Sequence, residues 1–198
     1  MARFRTSHLA PLAALALATS LPAASAIPAA AATTTYTITD LGTVGGGDFS
    51  VGGAINRSGQ IAGTCGDSIG QAPLVLWQNG TVTDLGTLGP PGSYSFTQAV
   101  AINSNGQIAG AVFTGGADEG FLYSNGTITN LGSFLPAAIN DSGVMVGGPS
   151  IDTGGTVQNL NNLLPAGSPT IQDATAINDN GQVVASATGS GAVLLTPS

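Results

Sequence analysis

Apolar residues come in short runs along this chain, alternating with polar ones at a period of two, and Asn, Gly or Ser cuts each run. Leu74-Val75-Leu76-Trp77 passes through Gln78-Asn79-Gly80 into Thr81-Val82-Thr83-Asp84-Leu85-Gly86. Phe121-Leu122-Tyr123 passes through Ser124-Asn125-Gly126 into Thr127-Ile128-Thr129-Asn130-Leu131-Gly132. Asn-Gly between alternating apolar positions predicts a tight β-hairpin, and the β-branched residues on either side suit strands. A worn copy follows, with Ser150-Ile151-Asp152 and Thr156-Val157-Gln158-Asn159-Leu160 around Thr153-Gly154-Gly155. Few stretches read as helical.

A second hairpin signal recurs more strictly. Ala54-Ile55-Asn56-Arg57-Ser58-Gly59-Gln60-Ile61-Ala62-Gly63 is repeated, with small changes, from Ala101, Ala138 and Ala176, which puts its asparagine at 56, 103, 140 and 178. Gly at the fourth position of Asn-x-x-Gly supplies the positive φ of a turn. A period of this size marks a propeller or a solenoid. Each repeat holds two hairpins, hence four short antiparallel strands, the content of one propeller blade. The small residues before each Ile-Asn (Gly52-Gly53-Ala54, Ala99-Val100-Ala101, Ala137-Ala138, Ala174-Thr175-Ala176) make that segment the innermost strand.

The predicted fold is therefore all-β, a four-bladed β-propeller of four-stranded antiparallel blades. Tyr36-Thr37-Ile38-Thr39-Asp40-Leu41-Gly42 matches the fourth-strand sequence Thr81–Gly86, while the last repeat has a first hairpin (175–186), a third strand (192–195) and no fourth. Pairing Thr35–Leu41 beside Ala192–Leu195 closes the ring in this reading. Each Ile or Leu buried at such a seam contributes roughly 1.5–3 kcal/mol. A linear β-solenoid and an eight-blade ring of two chains are the rival geometries.

Composition adds an export signal. Arg3 and Arg5 precede an apolar stretch, Leu9 to Leu21, too short to cross a bilayer, and cleavage is expected after Ala32 or Ala26. This gives a signal peptide over 1–32 and a repeat domain over 33–198, secreted, with no membrane anchor and a monomer favoured. Beyond the leader, Arg57 is the only cation among ten acids. That balance gives no footprint for nucleic acid. Cys65 is the single cysteine, read as a small buried residue that could otherwise pair between molecules.

Chemistry is limited by what is missing. The only histidine is His8, in the leader, and there is no lysine. His-dependent nucleophile pairs, lysine Schiff bases and ordinary zinc sites are therefore out of reach of the repeat domain. Asp40 and Asp84 share their phase with Asn130 and Asn159, so the position calls for a short acceptor at a strand end, as in an Asx-turn, rather than a charge. Asp141 and Asp179 suggest calcium, but Arg57 and Ser104 stand in the same phase, and turn chemistry is the better account. Asp118-Glu119 reads as a solvated loop tip. Trp77 and Tyr123 share a phase and read as packing between blades, with sugar stacking as the alternative.

The strings Ile38-Thr39-Asp40-Leu41-Gly42, Val82-Thr83-Asp84-Leu85-Gly86-Thr87-Leu88-Gly89 and Ala176-Ile177-Asn178-Asp179-Asn180-Gly181-Gln182-Val183-Val184 resemble the HAF repeats of extracellular bacterial proteins over nearly all of 35–198. The resemblance implies an exported, propeller-like repeat protein. The His-Ala-Phe triplet itself is missing: Pro73-Leu74-Val75 and Glu119-Gly120-Phe121 stand in its place. The expected function is an exported, non-enzymatic binding or structural module for a protein or glycan, with no cofactor and no metal. The loop around Tyr94 and Phe96, with Trp77 and Tyr123, is the candidate contact surface. The alternatives are a carboxylate-only carbohydrate-active enzyme and a lectin-like sugar binder.

Overall fold

The computed structural model describes residues 34–66, 70–88 and 95–198. The leader and Tyr94 lie outside the described residues. The chain divides into two units, Met1–Ile38 and Thr39–Ser198. Of the first, residues 34–38 are described, and they carry no regular element.

The second unit is four sheets. The first contains β1 (Phe49–Ile55), β2 (Ile61–Gly66), β4 (Leu74–Gln78) and β5 (Thr81–Gly86) in that order, with β3 (Gln71–Ala72) set aside from it. The second contains β6 (Ser95–Ile102), β7 (Ile108–Phe113), β8 (Glu119–Ser124) and β9 (Thr127–Gly132), and β3 adds to its edge in parallel. The third contains β10 (Ala138–Ile139), β11 (Met145–Gly147), β12 (Ser150–Asp152) and β13 (Val157–Asn159). The fourth has three strands, β14 (Ile171–Ile177), β15 (Val183–Ala187) and β16 (Gly191–Leu195). All pairings but that of β3 are antiparallel and, β3 apart, join strands consecutive in sequence, as two consecutive hairpins per repeat require. One 3-10 turn, Leu160–Leu163, follows β13.

The second hairpin closes through Asn79-Gly80 and Asn125-Gly126, whose φ values are 51° and 75°, and 50° and 81°. Positive φ at both central residues is the type I′ geometry that matches strand twist. In the worn third copy Gly154 and Gly155, at 64° and 87°, do the same work.

Cores form between successive sheets. Ala62 and Leu74 of the first sheet pack with Ala99, Ile102, Ile108 and Phe121 of the second. Ala109 of the second packs with Ile139 and Met145 of the third. Val146 and Leu160 pack with Ile171, Ala174 and Val183 of the fourth. The inner strands β1, β6, β10 and β14 are neighbours in that order. Gly53 allows the first approach, since a Cβ there would collide with the Ala99 carbonyl.

The closure expected from the sequence is not shown among the described residues. Residues 34–43 carry no strand, and among the described residues β16 is paired on one side only, to β15. Local contacts explain where the following segment goes instead. Trp77 Nε1 donates to Gly42 O at 3.3 Å, and Val44 packs against Cys65, Val75 and Trp77 on the outer face of the first sheet. These contacts hold residues 42–44 on the first sheet, and no described strand of the fourth sheet packs substantially on one of the first.

Candidate functional site

The repeated polar residues converge on one rim, at the four Asn-x-x-Gly turns. Asn56 Oδ1 accepts the backbone N–H groups of Ser58 and Gln60, each at 3.0 Å. Its Nδ2 donates to Gln60 Oε1 at 2.7 Å and to Asn103 O in the next sheet at 3.0 Å. Asn103 repeats this within its own turn and donates to Asn140 O at 2.9 Å; Asn140 donates to Asn178 O at 3.1 Å. The side chain thus fixes its turn and joins its sheet to the next, so the turns form a ladder running one way along the row. Asn103 and Asn140 are buried, which makes each of these bonds costly to lose. The repetition of asparagine is visible in the sequence, but the bond to the next sheet needs the third dimension.

The Asp/Asn series at the strand ends is an Asx-turn in every copy. Asp40, Asp84, Asn130 and Asn159 each accept a backbone N–H two residues on, at 2.9, 2.7, 2.7 and 2.9 Å. Asp141 Oδ1 accepts Ser104 N–H and Asp179 Oδ1 accepts Asp141 N–H, both at 2.8 Å. Hydrogen bonds from Ser104, backbone first and hydroxyl second, hold the Asp141 carboxyl below its ordinary range, and Arg57, 3.6 Å away, adds to this. Among the described residues no three His, Cys, Asp or Glu side chains gather as metal ligands.

Of the expected contact residues, the three that are described, Trp77, Phe96 and Tyr123, are not gathered into one surface. Trp77 is buried on the outer face of the first sheet, and Tyr123 packs in the core between the first two sheets. Neither is displayed as a platform. Phe96 belongs to β6 rather than to a loop and stacks on Phe49, with ring centroids 6.5 Å apart. Asp118 is exposed, whereas Glu119 opens β8 and accepts Asn130 Nδ2 at 2.8 Å. Burial pushes the Cys65 thiol up, and the Asp84 charge adds a smaller push against a hydrogen bond from Val44.

Among the clefts between sheets, two are larger than the one beside Ile151, Val183 and Leu195. One of the two, of ≈ 390 Å³, runs beside Val51, Gly52, Phe96, Thr97 and Gln98 at the junction of the first two sheets, and none of the described residues that line it is titratable. The other, of ≈ 460 Å³, lies by Phe134, Leu135, Gly147, Pro149 and Asp173, its one carboxylate. Asp152 is a buried polar residue that no sequence signal singles out. Its Oδ1 accepts Gly155 N–H at 2.7 Å, and its Oδ2 is buried with no partner. No helix among the described residues is long and apolar enough to cross a membrane. Compared with protein-family models and with curated proteins, the chain matches none.

Proposed function

We propose that this chain is an exported, non-catalytic repeat module of propeller type that holds a protein or glycan partner through its inter-sheet clefts. One observation carries the reading: the described residues that line these two clefts offer no pair of acid and base groups. Among them the first has no titratable side chain and the second only Asp173. Carboxylate-only glycoside hydrolysis needs two carboxyl groups across one bond. The recurring polar residues are meanwhile engaged in turns and in the bonds between sheets. The resemblance to HAF repeats and the leader support export. The ordered packing of β1, β6, β10 and β14 supports blades about an axis, and a closed circle then needs a neighbour for the outward faces of the first and fourth sheets.

The test is a polysaccharide panel read for both retention and product release. Retention without turnover, weakened by Phe96→Ala in the first cleft, is the expected result. Sugar release that is lost in Asp118→Asn or Glu119→Gln would establish the enzymatic reading instead. The burial of Trp77 favours a cleft over an aromatic platform as the site of any sugar contact.

A further inference from the structure

The faces that sheets use to meet one another recur in register, and the row leaves one of each kind without a sheet against it, that of the first sheet partly covered by Val44. Every sheet presents an incoming pair to the sheet before it: Ile55 beside Ile61, Ile102 beside Ile108, Ile139 beside Met145, Ile177 beside Val183. Ile102 and Ile139 are each 9 % exposed, but Ile55 is 67 % exposed. Every sheet also presents an outgoing pair to the sheet after it: Ala62 beside Leu76, Ala109 beside Leu122, Val146 beside Ile151, Val184 beside Leu194. Ala62, Ala109 and Val146 are 0 % exposed, whereas Val184 is 44 % and Leu194 59 % exposed.

The polar ladder stops at the same two faces. Asn56, Asn103 and Asn140 each donate Nδ2 to the next turn's carbonyl, while among the described residues Asn178 Nδ2 bonds only Gln182, in its own turn. Among the described residues Asn56 O receives no such donor from another turn. The backbone edge agrees. Among the described residues the fourth sheet has three strands, and residues 37–42 carry a fourth-strand sequence, Thr-Ile-Thr-Asp-Leu-Gly, without a strand partner. Asp40 already makes the Asx-turn that ends such a strand, and Val44 packs on the first sheet as Leu88 packs in the core before the second.

We infer that the open end faces are a head-to-tail interface between two copies of this chain. The fourth sheet of one copy seats on the first sheet of the other, and residues 38–40 of the second copy add to β16 as the missing strand. The register follows from Val75↔Asp84, Leu76↔Thr83 and Trp77↔Val82 in the first sheet. It sets Val193 opposite Asp40, Leu194 opposite Thr39 and Leu195 opposite Ile38. Asn178 Nδ2 then reaches Asn56 O of the second copy, and Asp179 comes near Arg57, so opposite charges meet. The contact is a continuation of the three junctions inside the chain, which is why a second copy is its occupant. Strand addition at an open edge supplies backbone hydrogen bonds as well as apolar cover. Such a heterologous contact closes into a ring when the rotation permits and otherwise extends.

The test is the mass of the purified chain by light scattering across a concentration series, with disulfide trapping of Thr39→Cys/Leu194→Cys. Masses above that of one chain are expected, with a covalent species spanning two chains. Ile55→Glu and Val184→Glu each alter one exposed end face, and each alone should be monomeric with unchanged circular dichroism. Mixing the two should restore a single one-to-one dimer, because each keeps the face the other has lost. A wild-type chain that stays monomeric at every concentration overturns the inference. So does a trapped cross-link at monomer mass, which would mean that the ends meet within one chain, and so does a mixture that does not pair. None of these outcomes bears on catalysis or on the clefts.

Discussion

Asn103 uses every hydrogen-bonding capacity of its side chain. Oδ1 accepts Asn105 and Gln107 N–H, each at 3.0 Å, and Nδ2 donates to Gln107 Oε1 at 2.7 Å and Asn140 O at 2.9 Å. A carboxylate in its place would set a charged oxygen against two acceptors at a buried site. Asn103→Asp should therefore destabilise by roughly 2–4 kcal/mol, read from urea midpoints. Asp84→Asn should stay within about 0.5 kcal/mol, because Asn130 and Asn159 already make the same bond with Oδ1. That interchange is legible in the sequence, since a position shared by Asp and Asn needs only an acceptor. Asp141 differs, because hydrogen bonds from Ser104 hold its carboxyl below the ordinary value of 3.8. A depressed folded-state pKa adds stability that is fully present above the unfolded value and lost as pH falls through the folded one. Wild type and Asp141→Asn should thus differ most near neutrality and converge in acid. Parallel stability curves across that range would rule the contribution out.

At the scale of the element, hairpins are the most legible feature, because their turns need particular residues. Strand starts are less so. β6 begins at Ser95, and its buried inward positions include Ser95 and Thr97 beside Ala99. Polar residues at core positions hide the alternation, so Phe96 reads as loop in the sequence. β14 likewise begins at Ile171, ahead of the expected Thr175, through Gln172 and Asp173, which are exposed. The inner strands also carry bulges, one between Ala99 and Ala101, that break a strict period of two. Gly110 is the residue that allows this one. A Cβ there would collide with Gln98 O and stand 2.8 Å from Phe121. Because the obstacle is backbone, Gly110→Ala should cost about 1–3 kcal/mol as an overpacking change. Gly116→Ala, in an exposed turn whose Cβ position lies 3.8 Å from the nearest atom, should be close to neutral, both changes being read from thermal melts.

For the whole molecule, repetition makes the number and kind of sheets readable, while closure depends on the rotation between sheets, which no spacing of residues encodes. The likeness of residues 37–42 to a fourth strand is plain in the sequence, yet sequence alone does not say whether its partner lies in the same chain. The structure gives the row an internal gradient. The second and third sheets have a sheet against each face, whereas the first and fourth each turn one face outward. Local opening should follow that gradient, since regions with fewer buried contacts open at lower free energy. Amide hydrogen exchange should therefore be slowest in β7 and β8, whose Ile108, Ala109, Val112 and Phe121 are 0 % exposed, and fastest along β16. Head-to-tail association adds a second expectation, because binding protects what it covers in proportion to the bound fraction. Raising the protein concentration should slow exchange in β1, β15 and β16 and leave β7 and β8 unchanged. Exchange that is independent of concentration at both ends, with the gradient intact, would describe an open row that remains single. Uniform protection of all four sheets at high dilution would instead describe a circle completed within one chain, with the Asn178 side chain bonded to the Asn56 carbonyl of its own molecule.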